Sequence, residues 1–283
     1  MDRFEIDVPG PQPEDTPPTL YKYRFFDPDG YHLGVIENAK LWFTSAREFN
    51  DPFDSSLQYR FDDAPKGIRL KWAMHFLKRE FPHLNHKQRR QLALQRLREI
   101  GKDPAYYESF RNSYVERNYD KFGICCLTPV RDDLLMWAHY SDSHRGFCLG
   151  IDTSKLFDLQ HSLASDGHLI DLQQVTYSEE MPEINFFVSM ISKYWHKDII
   201  RLLCTKSTHW SHEREFRLIY WDRVNTALSV GHDAISEVIM GCQVEDKDRN
   251  SVLSILNDRQ CPAKVYQAHK DQTKFGLRFE KIR

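Results

Sequence analysis

The block from Ile68 to Ile100 sets the terms for the fold. It reads as helix, broken near Pro82, and it interrupts a chain otherwise written in strand-like stretches. Before it come "LYKYRFF" (Leu20–Phe26), a short helix in "YHLGVIENAK", and "LWFTS" (Leu41–Ser45). After it come "FGICCLT", "GFCLGID", "LIDLQQVTYS", "EFRLIYW", "ISEVIMG", "AKVYQAHK" and "FGLRFEKI", with helix expected at "LLMWAHYS", at about 184–204 and near 247–257. Strand groups on both sides of a helical block predict an α+β fold: one domain over residues 20–283, carrying a helical insertion at about 64–119. Residues 1–19 hold five prolines and read as a flexible arm.

The helical block is also strongly basic. Nine Lys or Arg side chains face only Glu80 and Glu99, a net charge of +7. Nucleic acid or another anionic partner is the functional reading. The ordinary reading is a solvated face of amphipathic helices, since Leu92, Leu94 and Leu97 need a core. The whole chain carries a charge of −2 and so points to neither nucleic acid nor membrane. No apolar run approaches the roughly 18 residues of a membrane span, and the first residues lack the basic-then-apolar pattern of a secretion signal. The six cysteines sit mostly in apolar stretches with no C-x-x-C among them. Reduced thiols in a cytoplasmic protein are the expectation.

Three stretches carry candidate chemistry. In "LYKYR", alternation puts Lys22 and Arg24 on one strand face and Tyr21 and Tyr23 on the other. Basic side chains suit a pyrophosphate, Arg by paired hydrogen bonds. Tyr23, like Trp137, is suited to stack a nucleobase or nicotinamide ring, or equally to fill a core. In "WAHYSDSHRG", His139, His144 and Cys148, with Cys125 or Cys126, have the ligand chemistry of zinc. The H-x4-H spacing fits no common zinc motif, and no metal is expected. In "HWSHEREFRLIYW", a strand over "REFRLIYW" would align Glu213, Glu215 and Arg217 on one face, with Phe216, Leu218 and Tyr220 opposite. Such a carboxylate pair can hold a ribose hydroxyl and stabilise an oxocarbenium-like cation, or can form a solvent-facing ion pair with the arginine. The "FNDPFD" loop is expected to be structural, with Asn50 and Asp51 capping backbone amides and Phe49 and Phe53 buried.

Four motifs in order, "LYKYR", "LWFTSAREFNDPFD", "LLMWAHYSDSHRGFCLG" and "KSTHWSHEREFRL", resemble the pattern of a bacterial family catalogued only as a domain of unknown function. The order of elements is in turn similar to the ADP-ribosyltransferase superfamily, especially toxins that modify nucleic acids. That resemblance implies split, mostly antiparallel sheets around a cleft, with NAD as the substrate cofactor. Glu215 matches the late-strand glutamate, and Glu213 would assist the acceptor. Lys22 or Arg24 stands where the first strand usually has His, near the pyrophosphate. Tyr23, Trp137, His139, Tyr140, His144 and Arg145 are the remaining candidate NAD contacts at the cleft edge. The implied activity is cleavage of the nicotinamide–ribose bond, with ADP-ribose passing to nucleic acid, protein or water. A toxin or phage-defence effector with a regulatory or antitoxin partner fits that activity. A non-catalytic nucleotide- or nucleic-acid-binding module and a metal-dependent nuclease are the alternatives.

Overall fold

The structure, a computed structural model, describes residues 10–56, 58–61, 64–100 and 104–283. In chain order its elements begin with β1 (Thr19–Arg24), α1 (Gly34–Glu37), β2 (Lys40–Ser45), β3 (Tyr59–Arg60), α2 (Lys66–Glu80), α3 (His86–Ile100) and α4 (Pro104–Tyr119). They continue with β4 (Phe122–Leu127), α5 (Leu134–Tyr140), β5 (Phe147–Asp152), α6 (Thr153–Ser165), β6 (Ile170–Gln174), β7 (Thr176–Ser178), β8 (Ile184–Asn185), α7 (Phe186–Ile191), α8 (Trp195–Leu203) and β9 (Thr205–Ser207). The last are β10 (Phe216–Trp221), β11 (Thr226–Ser229), β12 (Ile235–Met240), α9 (Asp246–Asp258), β13 (Lys264–Lys270) and β14 (Leu277–Lys281). The chain is α+β with mostly antiparallel sheets, and it gathers into two compact units.

The larger unit contains residues 10–48, Lys121–Tyr177 and Thr208–Arg283. It holds two five-stranded sheets, ordered β1-β5-β12-β13-β14 and β11-β2-β4-β10-β6. Within them only β12 and β13 run parallel. Alternation places Leu20, Leu149, Ile151 and Val238 of the first sheet and Phe43, Leu127, Phe216, Leu218 and Tyr220 of the second in one core, joined by Leu156 of α6 and Val252 and Leu256 of α9. The other face of the first sheet packs Tyr21, Tyr23, Cys148 and Ile239 against Met136 and Trp137 of α5. The two sheets are stitched where β1 meets the end of β4: the Tyr21 amide donates to the Thr128 carbonyl at 2.6 Å and the Thr128 amide returns a bond at 3.0 Å. The amphipathic α6 was not foreseen. Its start is fixed by Asp152, whose carboxylate accepts from the Ser154 amide at 2.9 Å.

Of the expected N-terminal arm, residues 1–9 lie outside the described residues. Residues 10–18 are not free: the Thr153 amide and hydroxyl bond the carbonyls of Pro18 and Pro17 at 3.0 and 2.5 Å, and Thr16 is buried.

The smaller unit contains Phe49–Asp120 and Ser178–Ser207. The expected helical insertion is therefore joined by α7 and α8 from much later in the chain. Its interior is aromatic: Phe61 stacks on Phe186 at 4.6 Å, and Trp72 meets Phe187 edge-on at 5.2 Å. The helices bury Ala73, Leu77 and Ala93, with Leu92 and Leu97 packed beside them. Three of the nine cations serve structure. Arg69 donates to the Ala64 carbonyl, Arg89 to the Leu84 carbonyl, and Arg96 pairs with Glu80 at 2.8 Å. Lys71, Lys78, Arg79, Lys87, Arg90 and Arg98 are exposed. The "FNDPFD" loop departs from expectation at Phe53, which is 69% exposed. The turn sends Asp54 and Ser55 inward instead, Asp54 to Lys206 at 3.4 Å and the Ser55 hydroxyl to the Leu203 carbonyl at 3.2 Å. Asp51 does cap, accepting from the Phe53 amide at 2.9 Å, while Phe49 is half-buried.

Candidate functional site

On β1 the alternation works as the sequence suggested. With Tyr21 and Tyr23 turned to the α5 side, Lys22 and Arg24 point to the opposite face. The Lys22 ammonium donates to the Cys126 carbonyl of β4 at 2.8 Å. Burial lowers its pKa, and the neighbouring Arg24 charge lowers it further, while Cys125, Cys126 and Glu215 oppose the shift. Arg24 is lowered mainly by burial as well. Its Nη1 reaches the Tyr23 carbonyl at 3.5 Å, and its buried Nε has no hydrogen-bond partner among the described residues.

The two carboxylates are not arranged as one strand face. Residues Thr208–Glu213 form a 3-10 turn, Arg214 has φ +46°, and β10 begins only at Phe216. Glu213 therefore closes the turn and is not part of the strand. Its Oε1 accepts from the Tyr140 hydroxyl at 2.6 Å, and its carbonyl accepts from the Thr128 hydroxyl at 2.6 Å. Glu215 lies beside Arg217, two residues on, and takes a forked pair: Nε to Oε1 at 2.8 Å and Nη2 to Oε2 at 2.9 Å. The Arg217 side chain is 0% exposed and that of Glu215 4%, so this is a buried ion pair and not the solvent-facing one considered from sequence. The main chain of Glu215 is held as firmly, its amide donating to the Tyr177 hydroxyl and its carbonyl accepting from the Val175 amide. In the sheet Arg217 sits opposite Cys126. Burial raises the Cys126 thiol well above its ordinary value, with the Glu215 charge adding to the rise and Arg217 and Lys22 opposing it. Lys22, Cys126, Glu215 and Arg217 thus form one polar cluster within the larger unit.

The α5 candidates separate. Asp133 caps the helix by accepting from the Leu135 and Met136 amides. Trp137 is fully buried, edge-on to Tyr23 at 5.1 Å, and its indole N–H donates to the Arg131 carbonyl at 2.9 Å. The Tyr23 hydroxyl donates to the Val130 carbonyl at 2.9 Å. Both rings are core side chains, the packing alternative that the sequence left open for them. His144 stacks on Trp137 at 6.1 Å with Nδ1 buried and without a hydrogen-bond partner among the described residues, and burial and Lys270 lower its pKa. Its φ is +69° and its carbonyl accepts from the Gln243 amide. His139 and Arg145 are exposed, His139 edge-on to Tyr140 at 6.4 Å. Gly146 earns its place by crowding: a Cβ there would stand 2.0 Å from the Arg24 carbonyl oxygen. Among the described residues no three His, Cys, Asp or Glu side chains gather as ion ligands, so the candidate zinc set is not brought together.

Sequence reasoning missed two features. An open groove of about 630 Å³ is lined by Val130, Asp132, Asp133, Leu134, Leu135, His212 and Arg214, beside the turn that carries Glu213. Arg214 heads the strand expected over "REFRLIYW", and nothing in the sequence singles out His212. The second is a triad on the α5 side of the first sheet: Glu237 accepts from the Tyr21 hydroxyl and pairs with Arg131 Nη1, which stands 3.2 Å from each oxygen. Gly150 makes room for it, since a Cβ would meet the Glu237 Cγ at 2.7 Å. A glutamate inside the apolar run "ISEVIMG" was the available signal.

The comparison with protein families falls on this region. Residues 136–218 match the family described as a protein of unknown function, DUF2971. The DUF2971 match runs from α5 to β10 and so includes Trp137, His139, Tyr140, His144, Arg145, Glu213, Glu215 and Arg217. "LYKYR" and "LWFTSAREFNDPFD" lie outside it. No curated protein and no solved structure matches the chain.

Proposed function

We propose that this protein is an NAD-dependent enzyme of the ADP-ribosyltransferase kind, with sheets split in the manner of that superfamily. One observation carries the reading: a first-strand cation and the late carboxylates, far apart in sequence, share a neighbourhood built on β4. Lys22 bonds the Cys126 carbonyl, Glu215 and Arg217 flank Cys126, and Glu213 is held by Tyr140 and Thr128. The adjoining groove falls in the size range of small-molecule sites and offers Arg214 and His212 to a pyrophosphate.

In this reading the nicotinamide–ribose bond breaks with its electron pair leaving on nicotinamide. The anomeric carbon then takes a lone pair from a water, hydroxyl or base nitrogen, and a carboxylate receives the nucleophile's proton. Glu215, fixed by its forked partner, supplies negative charge near the developing cation, and Glu213 serves the acceptor. The effector role and a restraining partner belong to the same proposal.

A second reading is favoured by one observation. Glu215 faces Arg217 inside the sheet, which is how a structural ion pair looks, and under that reading the chain is a non-catalytic nucleotide-binding module. The test is nicotinamide release and NAD binding by the purified protein, beside Glu213→Gln, Glu215→Gln and Tyr140→Phe. Release by the parent, lowered about 10²-fold or more in Glu215→Gln at unchanged melting temperature and less in Glu213→Gln, supports the enzyme. Binding without release supports the module, and neither binding nor release at millimolar NAD rejects both.

A further inference from the structure

The hairpin of β13 and β14 at the edge of the first sheet has a composition that the site above does not use. Register and alternation place Lys264, Tyr266 and Lys270 of β13 and Leu277, Phe279 and Lys281 of β14 on the α5 side. The opposite side carries Val265, which enters the main core. The rings of Tyr266 and Phe279 are half-buried, and the Arg131 guanidinium stands over them at 5.6 and 5.0 Å with 38% of its side chain exposed. The three lysines are exposed, and Lys270 is close enough to His144 to lower its pKa.

The hairpin turn adds a large side chain in the open. Phe275 is fully exposed beside exposed Lys274. The turn is ordered: Asp271 accepts from the Thr273 amide and hydroxyl at 2.8 and 2.7 Å and from the Lys274 amide at 3.3 Å, and its own amide donates to the Gly276 carbonyl. A fixed, exposed phenyl ring forgoes burial and asks for a partner. Asp271 is taken up by the turn amides and stands 3.8 Å from Arg278, and the other acidic groups do not cancel the lysines. Glu237 is spent on Tyr21 and Arg131, and Glu280 lies on the opposite side, paired with His269 at 3.1 Å. Asp132 and Asp133 act on Tyr23, at the far edge of the sheet.

Cations alternating with rings on an open strand surface match the chemistry of an unpaired polynucleotide, whose phosphates seek the lysines and whose bases stack on rings and guanidinium planes. We propose that this hairpin face binds single-stranded nucleic acid, with bases on Phe275 and on the Arg131–Phe279 platform and the backbone along Lys264, Lys270, Lys274 and Lys281. A membrane surface is the poorer fit, because only Phe275 among the face's apolar side chains is exposed. The inference goes beyond the proposed NAD chemistry and stands whether or not the chain cleaves NAD.

The test uses the full chain and fluorescein-labelled oligonucleotides of about 12 residues, dT and U, with a duplex of the same length. Fluorescence anisotropy over a salt series should show saturable binding of the single strands, weaker for the duplex. The triple variant Lys270→Gln, Lys274→Gln, Lys281→Gln should lower the slope of log K against log salt by about 2, at roughly 0.7 for each phosphate contact. Phe275→Ala should weaken binding about tenfold at every salt concentration. All four side chains are exposed, so melting temperatures should hold. Lys87→Gln with Arg90→Gln, on the basic helix of the smaller unit, should leave binding unchanged. No saturation by about 100 μM protein at low salt would overturn the proposal. So would binding abolished by the α3 pair and untouched by the hairpin variants, or capture by phosphatidylserine vesicles without oligonucleotide binding. Self-association lost in Phe275→Ala, with no oligonucleotide bound, would assign the face to a second copy of the chain and overturn it too.

Discussion

Removing one partner of the Glu215–Arg217 pair should cost far more than removing both. The guanidinium is wholly buried in the middle of a five-stranded sheet, between β4 and β6, and its two bonds to Glu215 are 2.8 and 2.9 Å. In Glu215→Leu the buried guanidinium loses its forked carboxylate, and Lys22 loses a nearby anion as well. Breaking a buried pair from one side typically costs about 3–5 kcal/mol. For a unit of this size each kcal/mol moves the melting temperature by about 2–4 °C, so a fall of about 6–20 °C is expected. Arg217→Met should cost a similar amount by taking both guanidinium bonds from the buried carboxylate. The double variant should return to within about 1–2 kcal/mol of the parent, since apolar groups of similar volume replace buried pairs with little loss. Urea titrations of the four proteins give the coupling energy directly, and it should exceed about 2 kcal/mol. It should also survive high salt, because ions do not screen a pair that water does not reach. Additive single variants, or a coupling that disappears in salt, would refute the buried pair. The same result bears on the proposed activity: a dead Glu215→Gln enzyme counts as a catalytic finding only if its melting curve matches the parent's.

Further outcomes can be checked on the same material. His144 has a folded pKa below its ordinary 6.5, through burial and Lys270. As pH falls through that value the unfolded chain takes up the proton first, so stability should drop on acidification, and His144→Phe should flatten the drop between the folded pKa and about 6.5 in pH-dependent melting. Gly146→Ala forces a methyl against the Arg24 carbonyl and should cost about 1–3 kcal/mol in urea unfolding. Tyr21→Phe removes one donor from Glu237 while Arg131 remains, so a loss of about 1 kcal/mol is expected, and clearly more should follow Arg131→Ala, which strips the charged partner.

Much of the fold was legible because its strands alternate. Tyr21 and Tyr23 against Lys22 and Arg24, and Phe216, Leu218 and Tyr220 against Arg217, fall on the sides that a period of two assigns. "LLMWAHY" was legible as helix for a related reason, since Asp133 starts it and apolar residues occupy one side. What was lost was lost to turns. The positive φ at Arg214 breaks the strand between the two glutamates, and nothing in "HEREF" announces it. The inward Asp54 and outward Phe53 depend on Lys206, a partner far along the chain. The grouping of the later helices with the insertion was hidden likewise, because α7 packs on α2, and α8 on α7, through contacts that local sequence does not encode. Burial of Trp137 follows from the sheet beneath it, and an aromatic residue in a helix reads the same whether it faces a ligand or a core.

The strand order β11-β2-β4-β10-β6 has a consequence for synthesis. Before β10 leaves the ribosome, β4 and β6 have no strand between them, and each presents an open edge of amides and carbonyls. Such edges recruit other chains. The nascent protein must hold them apart while the Ser178–Ser207 excursion is made, and only then can Arg217 slide in with its glutamate. A chain cut short after Ser207 would retain most of its apolar residues and lack the strand that closes the sheet. Premature termination should therefore give aggregates, and a peptide spanning β10 supplied in trans is the natural reagent to rescue it.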